Sequence, residues 1–115
     1  IECRINAENP ARDFQPCPGT IEQMFIPGGL GVRFESHAHS GYQVPPYYDS
    51  MIGKLIVHQP TRAQAIACMI RCLDEMRVEG IKTTIPFHRE VLSHSDFAEG
   101  WIDTGFVERT WAQKK

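Results

Sequence analysis

Clusters of basic residues are missing from this 115-residue chain. Twelve Lys and Arg against fourteen Asp and Glu leave a net charge near -2, and the only adjacent basic pair is Lys114-Lys115. Nucleic-acid binding needs a concentrated positive footprint, so that class is set aside. Long apolar runs are missing too. None approaches the ~20 residues that span a bilayer, and the start IECRINAE has neither the basic nor the apolar region of a signal peptide. The four cysteines, Cys3, Cys17, Cys68 and Cys72, are scattered without a C-x-x-C. Reduced thiols in a cytoplasm are therefore expected, rather than a disulfide framework. No G-x-S-x-G, H-E-x-x-H or complete Cys/His constellation is present, nor any internal repeat or linker. What remains is a composition, 42% hydrophobic and 23% charged, that fits one globular domain with a core of its own.

Residues 1–7 alternate strictly, with Ile1, Cys3 and Ile5 on one face and Glu2, Arg4 and Asn6 on the other, which predicts a strand. A chain that opens inside a strand without Met is expected to be a fragment of a longer polypeptide. Pro10, Pro16, Pro18 and Gly19 predict loop over 8–19. Thr20 to Ile26 and Val32 to Ser36 read as two strands of a hairpin with a glycine-rich tip at 27–31. Met51 to His58, mostly apolar, reads as a central strand covered on both faces. Ile66, Met69, Ile70, Leu73 and Met76 recur at helical spacing, which predicts a helix from about Arg62 to Arg77, capped by Thr61 and stopped by Gly80. A short edge strand over 81–83, a helix from Thr84 to about Leu92, an irregular stretch over 97–103 and a closing helix from Thr104 to about Ala112 complete the reading. That last helix is expected to put Phe106, Val107 and Trp111 on the core. The fold class is α+β, a small mostly antiparallel sheet with one long and two short helices.

Candidate site residues follow from this layout. Arg4 has apolar neighbours that anchor it in a core, while its guanidinium projects from the opposite face of a rigid strand. A permanently charged planar fork suits an oxyanion. From spacing alone it reads more readily as a surface arginine paired with Glu2 or Glu8. Asp49, just before an apolar strand, can orient an arginine, accept a substrate N–H or cap a turn. Lys54 is expected to snorkel from its strand. The turn GGLG lacks the G-x-G-x-x-G spacing of a phosphate loop. His37 and His39 with Glu35 lack a convincing third ligand, so no metal site is read there. Cys68 and Cys72 read as small core residues.

Four blocks carry a resemblance: IECRINAE at 1–8, GGLGVRFESH at 28–37, PPYYDSMIGKLI at 45–56 and EGIKTT at 79–84. In this order and at this spacing they resemble the carboxy-terminal domain of biotin carboxylases, and the SMIGKLI wording is most similar to the biotin carboxylase component of bacterial acetyl-CoA carboxylase. The resemblance implies the third domain of an ATP-grasp enzyme whose upstream domains bind ATP and Mg2+ and activate bicarbonate. Biotin on a carboxyl carrier protein is then carboxylated, and a separate carboxyltransferase passes the group on. It further implies Arg4 beside the ureido ring as stabiliser of its enolate-like form, Asp49 and Tyr48 near the biotin, and Thr104 and Gly105 near the adenine. Leu30 and Arg33 would belong to a homodimer interface, with Leu30 standing where the family often has Phe. An isolated domain would not turn over. The alternative is a free-standing module that docks a biotinylated carrier or another protein of the same complex.

Overall fold

The computed structural model describes residues 1–46 and 49–111. Its centre is a three-stranded antiparallel sheet in which β8 (Met51–Val57) lies between β1 (Glu2–Asn6) and β6 (Val32–Glu35). The alternation seen in the sequence becomes two faces. Cys3 and Ile5 of β1 and Leu55 and Val57 of β8 are buried on the inner face, with Phe34 of β6 packed against them. The outer face carries Glu2, Arg4, Lys54, Arg33 and Glu35. Helix α1 (Arg62–Glu75) covers the inner face through Ala65, Ile66, Met69, Cys72 and Leu73. Its start is set by Thr61, whose hydroxyl accepts from the Gln64 N–H at 3.2 Å, one of the first-turn donors that a helix leaves unpaired.

Three two-strand ladders, each antiparallel, surround this centre: β2 (Glu8–Asn9) with β3 (Gln15–Pro16), β4 (Gly19–Thr20) with β7 (Gln43–Val44), and β5 (Gln23–Phe25) with β9 (Arg77–Glu79). Helix α2 (Ile85–Ser93) packs on α1, joined to it by an Arg89–Asp74 ion pair at 2.7 Å. Two five-residue helices follow, α3 (Ser95–Glu99) and α4 (Phe106–Thr110). Phe14, Phe87 and Trp111 stack edge to face or tilted, and the Trp111 indole N–H donates to the Pro10 carbonyl at 3.2 Å.

The α+β class stands, with several local departures. The expected hairpin does not form: β5 pairs with β9 and β6 with β8. The apolar stretch from Thr20 breaks at the buried Ile21, so that its two halves join different partners. The edge strand lies at Arg77–Glu79 rather than 81–83, because α1 ends earlier than its periodicity suggests. Met76 turns to extended backbone after its N–H reaches the Cys72 carbonyl at 2.9 Å. Gly80 is therefore not the helix stop. At φ +105° it turns the chain beyond β9, where a Cβ would meet the Thr20 carbonyl oxygen at 2.3 Å. The region 8–19 contains β2, a 3-10 turn at Pro10–Arg12 and β3, and 97–103 begins inside α3. Phe106 is buried and Trp111 half-buried, but Val107 is 38% exposed.

Candidate functional site

Hydrogen-bond alternation on β1 decides what Arg4 presents. The Ile1 amine donates to the Val57 carbonyl at 2.8 Å, and the Val57 N–H returns to the Ile1 carbonyl at 2.9 Å. Ladder bonds in an antiparallel pair alternate, so odd-numbered residues of β1 bond to β8 and even-numbered ones turn their backbone groups to the free edge. Arg4 and Asn6 are edge residues in this sense. Arg4 stands opposite Lys54 in a non-hydrogen-bonded pair, the closer of the two pair types, and Lys54 in turn stands opposite Glu35. Two cations therefore sit side by side on the outer face.

The Arg4 side chain is 64% exposed, and its ion pair with Glu2 is loose at 3.7 Å. Glu8, the other candidate partner, instead accepts from the Ser50 hydroxyl at 2.6 Å. The guanidinium is thus accessible and lightly held, while its backbone is firmly held. The Arg4 carbonyl accepts from the Thr84 hydroxyl at 2.9 Å and from His88 Nε2 at 2.7 Å. The Thr84 hydroxyl also accepts from the Asn6 N–H at 3.0 Å, and the Thr84 N–H donates to the Asn6 carbonyl at 3.1 Å. Asn6 Oδ1 is buried without a hydrogen-bond partner among the described residues. Burial holds the His88 imidazole below its ordinary pKa, against the opposing effect of its bond to the Arg4 carbonyl. The Cys3 thiol beside Arg4 is pushed up to about 12, chiefly by burial, and stays protonated and inert.

Asp49 caps the start of β8: its Oδ1 accepts from the Met51 N–H at 3.0 Å. It borders a pocket of about 220 Å3 with His37, Tyr42, Pro45 and Ile52. No hydrogen bond or ion pair joins Asp49 to Arg4 among the described residues: Arg4 stands mid-strand opposite Lys54, whereas Asp49 lies beyond the end of β8 that pairs with Asn6. Tyr48 lies outside the described residues. Among those described, no three His, Cys, Asp or Glu side chains gather as metal ligands would, and His37 and His39 both meet the Tyr42 ring edge-on.

The other candidates lie apart from Arg4. Leu30, 93% exposed, tops the glycine-rich loop, which is tied down by Gln59 donating to the Leu30 carbonyl at 2.9 Å and Arg71 donating to the Gly28 carbonyl at 3.3 Å. Arg33 is exposed on the edge strand β6 and pairs with Glu35 at 3.2 Å. Thr104 is exposed in the turn before α4, and Gly105 begins that helix with its N–H donated to Asp103 Oδ1 at 2.9 Å. The Arg109 guanidinium, with help from the Gly105 N–H, holds the Asp103 carboxyl below the usual range. Sequence reasoning misses Thr84 and His88 as neighbours of Arg4. Thr84 has the sequence position of a helix cap, yet its hydroxyl makes no cap bond and serves β1 instead.

Residues 2–109 match the biotin carboxylase C-terminal domain family. The chain belongs to that family. It is 56% identical over 94% of its length to biotin carboxylase 1 of Bacillus subtilis, and 53% identical over 94% to the biotin carboxylase of Nostoc sp.. It spans 24% of each of those proteins, about a quarter of their length. Among solved structures it superposes with a TM-score of 0.92, at 44% identity, on the biotin carboxylase domain dimer of Hydrogenobacter thermophilus 2-oxoglutarate carboxylase, a complex with MgADP, ADP and bicarbonate. That match covers 94% of this chain and 24% of that one. Biotin carboxylase of Campylobacter jejuni, in a βγ-ATP complex, superposes with a TM-score of 0.89 at 47% identity, over the same shares of the two chains.

Proposed function

We propose that this chain is the C-terminal domain of an ATP-dependent biotin carboxylase, a ligase that carboxylates carrier-bound biotin with bicarbonate, as the first half-reaction of acetyl-CoA carboxylase. In this reading the domain is one part of a longer ATP-grasp enzyme, as the lengths of its relatives suggest. ATP and Mg2+ are bound mainly by the other domains, where bicarbonate is activated. The partners are the biotin carboxyl carrier protein and the carboxyltransferase, the isolated domain does not turn over, and the enzyme is a cytoplasmic homodimer. The dimer of the Hydrogenobacter domain supports that last arrangement.

The role of the domain is to form one wall of the active site. The observation that carries this is the Arg4 guanidinium, accessible on a strand whose backbone is bonded on both edges. When the ureido ring nitrogen loses its proton, negative charge gathers on the ureido oxygen. A guanidinium held in place before that moment stabilises the charge without reorganising. Lys54, opposite Arg4, adds a second positive charge to the same face. Asp49 and Tyr48 line the biotin side, Thr104 and Gly105 approach the adenine, and Leu30 with Arg33 contributes to the dimer contact.

Arg4→Ala in the full-length carboxylase tests the assignment. It is expected to lower kcat for biotin carboxylation by about a hundredfold, the loss found when other oxyanion donors are removed, with the KM for ATP little changed. An unchanged kcat refutes the role of Arg4.

A further inference from the structure

Among the described residues the Arg4 side chain is held only by its loose ion pair with Glu2 at 3.7 Å, so the direction of its guanidinium is set chiefly from the backbone. That backbone lies on the free edge of β1, where an unpaired carbonyl would ordinarily face water or another strand. Here the edge is closed by side chains of α2 and its cap. The Thr84 hydroxyl takes the place of a neighbouring strand, receiving the Asn6 N–H at 3.0 Å and giving its own proton to the Arg4 carbonyl at 2.9 Å. His88 adds a second donor at 2.7 Å. A carbonyl oxygen only accepts, so Nε2 must carry the proton, and the imidazole is fixed in one tautomer or doubly protonated. Thr84 forgoes its own helix cap to do this: its hydroxyl accepts from no first-turn N–H of α2. A local rule broken at a buried polar cluster is a sign of selection for something other than helix stability.

We propose that Thr84 and His88 form a two-donor clamp on the Arg4 carbonyl, and that His88 is a positioning residue for the Arg4 guanidinium. The proposal rests on the role given to Arg4 above. The clamp fixes the peptide plane after Arg4 and hence the direction in which its side chain leaves the strand. Because α2 packs on α1 and buries Leu92 in the core, the aim of Arg4 is referred to the core rather than to the solvent. Small errors of aim are costly in a pre-organised site, where a displacement of about 1 Å reaches a hundredfold in rate.

The test is steady-state kinetics of the full-length carboxylase with carrier-bound biotin as varied substrate. His88→Leu, which removes the donor, is expected to lower kcat about tenfold while the KM for ATP stays within about twofold. His88→Gln, whose amide nitrogen reaches the same carbonyl, should restore most of the rate. In an Arg4→Ala background His88→Leu should cost nothing more, because a residue that acts through Arg4 has nothing left to aim. An unchanged kcat in His88→Leu, an equal loss in both backgrounds, or failure of His88→Gln to recover activity overturns the positioning role. If His88→Leu does not yield folded enzyme, Thr84→Val against Thr84→Ser reads the clamp from its other donor by the same criteria. A normal rate in Arg4→Ala itself overturns the underlying assignment as well. A normal rate in His88→Leu beside a crippled Arg4→Ala removes the clamp alone.

Discussion

His88 shows how much a single side chain can hold while remaining invisible in a linear reading. Its partner is 84 residues away, and no periodicity connects an imidazole on a short helix with a carbonyl on the first strand. Arg4, by contrast, is legible, because strict alternation over 1–7 assigns each side chain to a face. The burial that lowers the His88 pKa has a consequence for stability. The unfolded chain takes up the His88 proton at a higher pH than the folded one. The stability due to neutral His88 is therefore complete above about pH 6.5 and is lost as pH falls below that value through the lower folded pKa. Urea midpoints measured from pH 7.5 to 5.0 should fall less steeply in His88→Gln than in the wild type. Parallel curves would mean that the imidazole titrates alike in both states.

At the scale of elements, although the outer face of the central strand carries the half-buried Lys54 rather than being covered like the inner one, that strand is readable from its apolar run and the long helix from its one repeated period. The glycine-rich segment is not. Two apolar stretches flanking Pro-Gly-Gly-Leu-Gly resemble a hairpin in every local respect, and only the competition of β8 and β9 for their edges decides otherwise. Local turn chemistry specifies a reversal, not a pairing partner. The two-residue strands β2, β3, β4 and β7 carry too few side chains to show a period at all. Gly31 locks the segment in place at φ +73°, its carbonyl accepting from the His58 N–H at 2.8 Å. A Cβ there would lie 2.2 Å from the His58 carbonyl oxygen. Gly31→Ala should therefore destabilise the domain by at least about 1–2 kcal/mol, the cost of the left-handed conformation before the clash is counted. Chemical denaturation would detect this, and a neutral result would mean that the loop adopts another path.

The whole molecule is flattened, 38 × 35 × 20 Å, so that a large share of its surface lies on broad faces. Phe25, Ile26 and Leu30 are exposed around the glycine-rich segment, and Trp101 and Ile102 precede α4. Family membership is legible at this scale from four short blocks. The arrangement of their residues in space is not, since Arg4 stands in the middle of the β1–β8 pair while Asp49 lies beyond its end without touching it. If Leu30 lies in the dimer contact as proposed, a charge placed there is desolvated without a partner. Leu30→Glu should weaken self-association of the full-length protein by at least about tenfold while leaving its thermal midpoint unchanged within a few degrees. Sedimentation velocity over a dilution series measures this, and an unaltered dimer would move the interface elsewhere.

The seven residues of β8 also bear on how this domain can change over generations. Leu55 and Val57 face the core while Lys54 meets Arg4 and Glu35 on the outer side. Loss or gain of one codon between Met51 and Val57 would exchange those faces, sending an ammonium inward and two aliphatic side chains outward. Substitutions can accumulate along this strand one at a time, but a change in its length cannot. The stretch 100–102, exposed and lying between α3 and α4, carries no such restriction, and insertions and deletions between relatives should gather there and spare the strand.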